Sequence, residues 1–179
     1  MQTVRVHNKT FKPFIDATTI AKRVQQIGHQ IDQDYQSKRP LFLSVLNGSF
    51  VFASDLFRSL TIEAEISFIK LASYKGTTST GNVVTAIGLE ESLKDRHVIL
   101  LEDIIDTGKT IFSFLPELLS RQPASLRIAT FLSKPSALKY DVKADYIGFE
   151  VPNKFVLGYG LDYDGLGRNL PFLYELTEE

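Results

Sequence analysis

Val98-Ile99-Leu100-Leu101-Glu102-Asp103-Ile104-Ile105-Asp106-Thr107-Gly108-Lys109-Thr110 is the stretch on which the reading of this chain turns. Its first residues are apolar, several of them β-branched, the pattern of a strand buried on both faces. Two adjacent acids, Glu102 and Asp103, interrupt the run. Two more apolar residues follow, then the small polar turn Asp-Thr-Gly-Lys-Thr, and Ile111 to Leu119 reads as a helix. A short loop that feeds a helix N-terminus presents unpaired N–H groups and a positive dipole end, which suit a phosphate. Gly108 lets that backbone approach a ligand closely. Thr107 and Thr110 add hydroxyls, and Lys109 adds charge. The two acids cannot serve the same phosphate; they suit sugar hydroxyls, which donate to carboxylates, or a divalent cation. Two acids at the end of a buried strand are costly without such a ligand. The Gly-x-x-x-x-Gly-Lys spacing of a nucleotide-binding P-loop is absent.

The bulk of the chain excludes several other classes. Its 179 residues suit one domain with a sizeable core. A net charge of −1 carries no polyelectrolyte signature, so neither nucleic acid nor a membrane surface is expected as a partner. With no cysteine there is no disulfide framework and no thiolate chemistry. His7, His29 and His97 are far apart and lack metal-ligand spacing. No signal-peptide pattern opens the chain and no apolar run is long enough to cross a bilayer, so a cytoplasmic location is expected.

Working outward, the unit strand–polar turn–helix recurs. Leu41 to Leu46 reads as a buried strand, ending at Asn47-Gly48-Ser49 before a helix over Phe50 to Leu60. Upstream, residues 1–16 read as a short strand and a loop. A helix capped by Thr18 or Thr19 follows, with its apolar positions at Ile20, Val24, Ile27 and Ile31. Glu65 to Leu71 and Val83 to Ile87 read as strands around a hydroxyl-rich segment, Ser73 to Gly81. Ser125 to Leu132 reads as a strand ending in Ser133-Lys134-Pro135, and Asp145 to Phe149 as a shorter one. The alternation predicts an α/β fold with a mostly parallel central sheet and helices on both faces. Ligands of such sheets collect at the C-terminal ends of the strands.

The central stretch resembles the phosphoribosyl-pyrophosphate (PRPP) binding motif of type I phosphoribosyltransferases. Leu46-Asn47-Gly48-Ser49, Ser73-Tyr74 with Ser79-Thr80-Gly81, and Val151 to Asp162 extend the resemblance over most of the chain, to the hypoxanthine-guanine branch of that family. It implies the family's fold, with a small hood and an antiparallel lid hairpin. It also implies transfer of a phosphoribosyl group from PRPP to N9 of hypoxanthine or guanine, with Mg²⁺ as cofactor and a homodimer or homotetramer as the assembly.

The same resemblance implies roles. Asp106 faces N7 of the purine and handles its proton. Glu102 and Asp103 lie under the ribose hydroxyls and organise Mg²⁺, with Asp162 as a further metal contact. Asp106, Thr107, Gly108, Lys109 and Thr110 bind the 5′-phosphate. Lys134 donates to O6 of the purine, Phe155 stacks on the ring, and Val156 and Asp162 offer backbone groups to the base edge. Asn47, Gly48 and Arg168 meet pyrophosphate, and Ser73 and Tyr74 close as a lid over the reacting centre. The Leu46–Asn47 peptide bond is expected to be cis. Asn47 is a departure, because the family often carries a lysine there. Two alternatives stay open: a xanthine-preferring phosphoribosyltransferase, and a PRPP-sensing regulator that binds RNA or a partner protein.

Overall fold

A hairpin of β1 (Val4–Val6) and β2 (Lys9–Ile15) opens the chain in the computed structural model, which describes residues 2–73 and 83–177. Residues 9–15 were expected to be a loop because of Pro13. A strand forms there because β1 covers only the Lys9–Phe11 part of β2, so the missing N–H of Pro13 removes no bond to it. Helix α1 (Ala17–Asp34) follows. Its cap is Asp16, two or three residues before the expected threonine: the N–H and hydroxyl of Thr19 both donate to its carboxylate at 2.8 Å.

Next come β3 (Leu41–Leu46), α2 (Phe50–Ser59), β4 (Glu65–Ser73), β5 (Val83–Ile87), β6 (His97–Ile105), α3 (Lys109–Ser120), β7 (Ser125–Ser133) and β8 (Tyr146–Glu150). Six of these strands form one sheet in the order β5-β4-β3-β6-β7-β8. All neighbours are parallel except β4 and β5. Alternation along β6 explains its continuous apolar run. Ile99 and Leu101 pack toward α1 and α2, while Val98 and Leu100 pack toward α3. The central strand is thus buried on both faces, as its composition predicted. At the opposite end of the sheet from the polar turns, the carboxylate of Asp34 accepts from Tyr146 and Arg127, tying the end of α1 to β7 and β8.

A second, antiparallel sheet has the order β1-β2-β10-β9, with β9 at Val156–Leu157 and β10 at Leu173–Leu176. Val6, Phe11, Leu157 and Tyr174 fill its own small core. This is the expected hood. Its C-terminal strand lies between β2 and β9, so both ends of the described chain build it. The expected lid tip, from Tyr74 through Gly81, lies outside the described residues, as does the side chain of Ser73.

Gly148 sets the spacing of the outer strand β8. A Cβ there would stand 2.3 Å from the carbonyl oxygen of Phe131 on β7. Gly148→Ala is expected to cost about 1–3 kcal/mol, because backbone must move to admit the methyl group. Chemical denaturation would read this as a lower midpoint with an unchanged slope; an unchanged midpoint would contradict it.

Candidate functional site

The C-terminal ends of β3, β6 and β7 bring most of the candidate residues together. From β6 come Glu102, Asp103 and the turn 106–109; β3 supplies the loop 47–49; Lys134 follows β7 directly. Glu102, Ile104 and the turn line one pocket. Motif reading passed over Ile104 as merely apolar, and only the strand's geometry shows its half-buried place beside the acids.

The turn is built to hold its backbone open. Gly108 has φ +81° and caps α3, and a Cβ would press on Leu138 at 3.3 Å. Thr107 accepts the N–H of Lys109 through its hydroxyl at 3.3 Å. Behind it, the Thr107 carbonyl accepts the N–H groups of Lys139 and Tyr140. The side chains of Lys109 and Thr110 are exposed. A helix N-terminus of this kind, entered through a glycine, suits an anion.

Asp106 does not cap that helix. Its half-exposed carboxylate instead meets the ammonium of Lys134 at 3.2 Å. Lys134 is only 6% exposed. An ammonium has three donors, and this contact uses one of them. A buried cation with donors to spare, held in place by an acid, can donate to a ligand oxygen.

The paired acids differ from each other. Glu102 is 8% exposed, and its Oε2 has no hydrogen-bond partner among the described residues. Burial pushes its carboxyl well above the usual range, and the negative charge of Asp103 adds to the rise. Burial also raises Asp103, but the N–H of Ile104, donating at 2.9 Å, and the charge of Arg168 oppose it. Among the described residues, no group of three acids or histidines is arranged to hold a metal alone. The charge of Asp162 does reach Asp103. An orphaned buried carboxylate oxygen, with two further acids of one electrostatic neighbourhood, fits a hard cation that also takes oxygens from its ligand.

Arg168 bridges two groups. One guanidinium nitrogen pairs with Asp162 at 2.8 Å and the other donates to the Gly160 carbonyl at 2.7 Å. Asp162 also accepts the N–H of Gly165 at 2.7 Å. The Leu46–Asn47 peptide bond is cis, as expected. Gly48 touches Asp103 so closely that a Cβ would overlap the carboxylate, 1.5 Å from Oδ2.

On the hood, Phe155 is 42% exposed. It packs edge-on against Tyr163, with centroids 5.7 Å apart, and tilted against Phe11. The Phe155 carbonyl accepts from Leu176, and bonding alternates along a strand. Val156 therefore turns its own N–H and carbonyl toward the free edge of β9. Lys154 supports this segment through buried Glu175, which also pairs with Lys12.

Residues 15–164 match the phosphoribosyl transferase domain family. The chain is 42% identical over 164 residues to a hypoxanthine-guanine phosphoribosyltransferase of Bacillus subtilis (strain 168), covering 90% of this chain and 91% of that one. It is 40% identical over 160 residues to a hypoxanthine-guanine-xanthine phosphoribosyltransferase of Tritrichomonas foetus, covering 89% and 87%. Its structure is similar to a crystal structure of a hypoxanthine-guanine phosphoribosyltransferase from Bacillus anthracis str. Ames Ancestor. The TM-score is 0.88 at 34% identity, over 93% of this chain and 98% of that one.

Proposed function

The chain belongs to the phosphoribosyltransferase family, and from that premise we propose that it makes nucleotides for purine salvage from PRPP and a 6-oxopurine, hypoxanthine or guanine. In the reaction, N9 of the base attacks C1′ of PRPP. The bond from C1′ to the pyrophosphate oxygen breaks, and its electron pair leaves with pyrophosphate. The imidazole proton of the purine passes to Asp106. One catalytic domain, residues 1–179, does this work.

The observation that carries this reading is the buried Lys134 ammonium held on Asp106. It joins a donor for O6 to a carboxylate that can take the ring proton, immediately before a turn that binds phosphate. Thr107, Gly108, Lys109 and Thr110 hold the 5′-phosphate, with Asp106 at the head of the turn. Glu102 and Asp103 accept from the ribose hydroxyls. Phe155 covers a face of the base, and Val156 and the Asp162 carbonyl meet its edge. Asn47 and Gly48 offer backbone to pyrophosphate, and Arg168 offers its guanidinium. Ser73 and Tyr74 close over the centre and keep water from C1′. Asp162, Glu102 and Asp103 would help hold Mg²⁺ brought with PRPP, and the ion would supply positive charge for the departing pyrophosphate.

Adenine lacks the 6-oxo acceptor and would leave buried Lys134 facing a donor. Lys134→Gln is therefore expected to raise the KM for hypoxanthine by about 10- to 100-fold, the loss of one charged hydrogen bond. The KM for PRPP should change little. Steady-state kinetics with each substrate varied would test this, and equal rises in both KM values would sink it.

We assign the protein to the cytoplasm as a homodimer or homotetramer. No described helix is long and apolar enough to cross a membrane. Phe50, exposed in the first turn of α2, supports that helix as the subunit contact.

The decisive experiment is to give the protein PRPP and Mg²⁺ with hypoxanthine, guanine, xanthine or adenine and measure nucleotide formation. Turnover of hypoxanthine or guanine and none of adenine is expected. A preference for xanthine would revise the base. Binding of PRPP with no turnover of any base would favour a regulator.

A further inference from the structure

The turn 158–160 has no part in the chemistry above, yet it is packed against the site from three directions. Gly158, Tyr159 and Gly160 all have positive φ, at +101°, +49° and +99°. Such a run is strained for Tyr159 and is sustained only where its surroundings hold it. Those surroundings are specific. The Tyr159 ring lies 4.5 Å from that of Phe131, centroid to centroid, and its hydroxyl donates to Asp55 on α2 at 2.7 Å. The Gly160 N–H donates to the carbonyl of Arg168, while its own carbonyl accepts from the Arg168 side chain. On its remaining side Gly160 meets the loop that precedes α2: a Cβ would stand 2.2 Å from the carbonyl oxygen of Gly48. Gly48 in turn leaves no room before Asp103.

We infer that Gly160 and Tyr159 are positioning residues that set the distance between the loop 47–49 and the Asp162–Arg168 pair, the two halves of the pyrophosphate site. The inference rests on the functional reading above, which gives both halves the same ligand. Loop 47–49 reaches the sheet through β3 and α2; Asp162 and Arg168 belong to the segment that leads into the hood. No strand pairing joins them. Their register depends on backbone contact between two glycines, braced by the Tyr159–Asp55 hydrogen bond on the same helix that the loop enters. A methyl group at 160 has to separate the halves. Of the base contacts, Lys134 follows β7 and Phe155 and Val156 lie at β9, outside the displaced turn; only the Asp162 carbonyl shares its segment.

Gly160→Ala should therefore raise the KM for PRPP, and weaken inhibition by pyrophosphate, by about ten-fold or more, as displacement of binding groups by an ångström does. The KM for hypoxanthine should rise less than the KM for PRPP, since Lys134, Phe155 and Val156 lie outside the turn and only the Asp162 carbonyl among the base contacts moves with it. Tyr159→Phe keeps the ring and loses only the bond to Asp55. It should move the PRPP KM the same way by about three-fold, the loss of one ordinary hydrogen bond, and it decides the matter if Gly160→Ala does not fold.

The inference is overturned if Gly160→Ala keeps the wild-type PRPP KM or raises both KM values equally. It is also overturned if Gly160→Ala fails to fold and Tyr159→Phe leaves the PRPP KM unchanged. A wild-type protein that turns over no base with PRPP overturns the functional reading itself, and with it the shared ligand.

Discussion

Asp106→Asn is expected to lower kcat by about 10²- to 10³-fold, the range that removal of a positioned acid–base group produces. The carboxylate accepts from buried Lys134 and is half-exposed on its other side, free to receive a proton from a bound base. Asparagine has nearly the same shape and can still accept from the ammonium through its amide oxygen. Hypoxanthine should therefore bind with little change, while the proton has nowhere to go. The contrast between kcat and KM is what identifies the role. A single-turnover measurement would isolate the chemical step from product release, and an unchanged rate there would remove Asp106 from the mechanism.

Glu102→Gln should have effects of opposite sign on stability and activity. Burial raises the carboxyl of Glu102 above its ordinary value of 4.5. In this case the folded protein retains a proton that the unfolded chain releases. Stability is then lost as pH rises from about 4.5 toward the folded value. Glutamine does not titrate. The variant and wild type should be matched near pH 4, and the variant should gain on wild type as pH increases. The gain at pH 7 is at most about 3.5 kcal/mol, since each pH step above the unfolded value is worth about 1.4 kcal/mol. In metal-free buffer this would appear as a Tm raised by several degrees at pH 7 and unchanged at pH 4. The same substitution should raise the KM for PRPP about ten-fold or more, because the acceptor for a ribose hydroxyl is weakened. A variant that is no more stable at pH 7 would show that Glu102 is held as an anion by contacts yet to be seen.

The two-sided burial of β6 was legible because composition alone carries it: a run of aliphatic residues that admits no exposed face. The acids and the turn were legible because they break that run at a strand end. Other features depend on neighbours distant in sequence. Pro13 argued against a strand until the short reach of β1 and the arrival of β10 made it harmless. Thr18 and Thr19 looked like caps, but the side chain preceding them has the better geometry, and Thr19 serves as donor. Lys134 and Asp106 were each readable as groups that handle a base. Their ion pair was not, since it requires knowing that β6 and β7 are adjacent and parallel. The Gly160–Gly48 contact spans more than a hundred residues, and no local periodicity encodes it.

The hood has a further consequence, in the timing of synthesis. β10 hydrogen-bonds to β2 on one side and to β9 on the other, so the sheet that carries Phe155 lacks its middle strand until residue 176 has cleared the ribosome. The phosphate turn and the acids belong to the earlier sheet, whose parallel strands are complete by residue 150. A nascent chain would thus complete the sheet behind the turn 106–109 and Lys134 first, and the hood beside Phe155 only with β10. Translation stalled before that point would leave a chain with its parallel sheet complete but without the strand that joins β2 to β9.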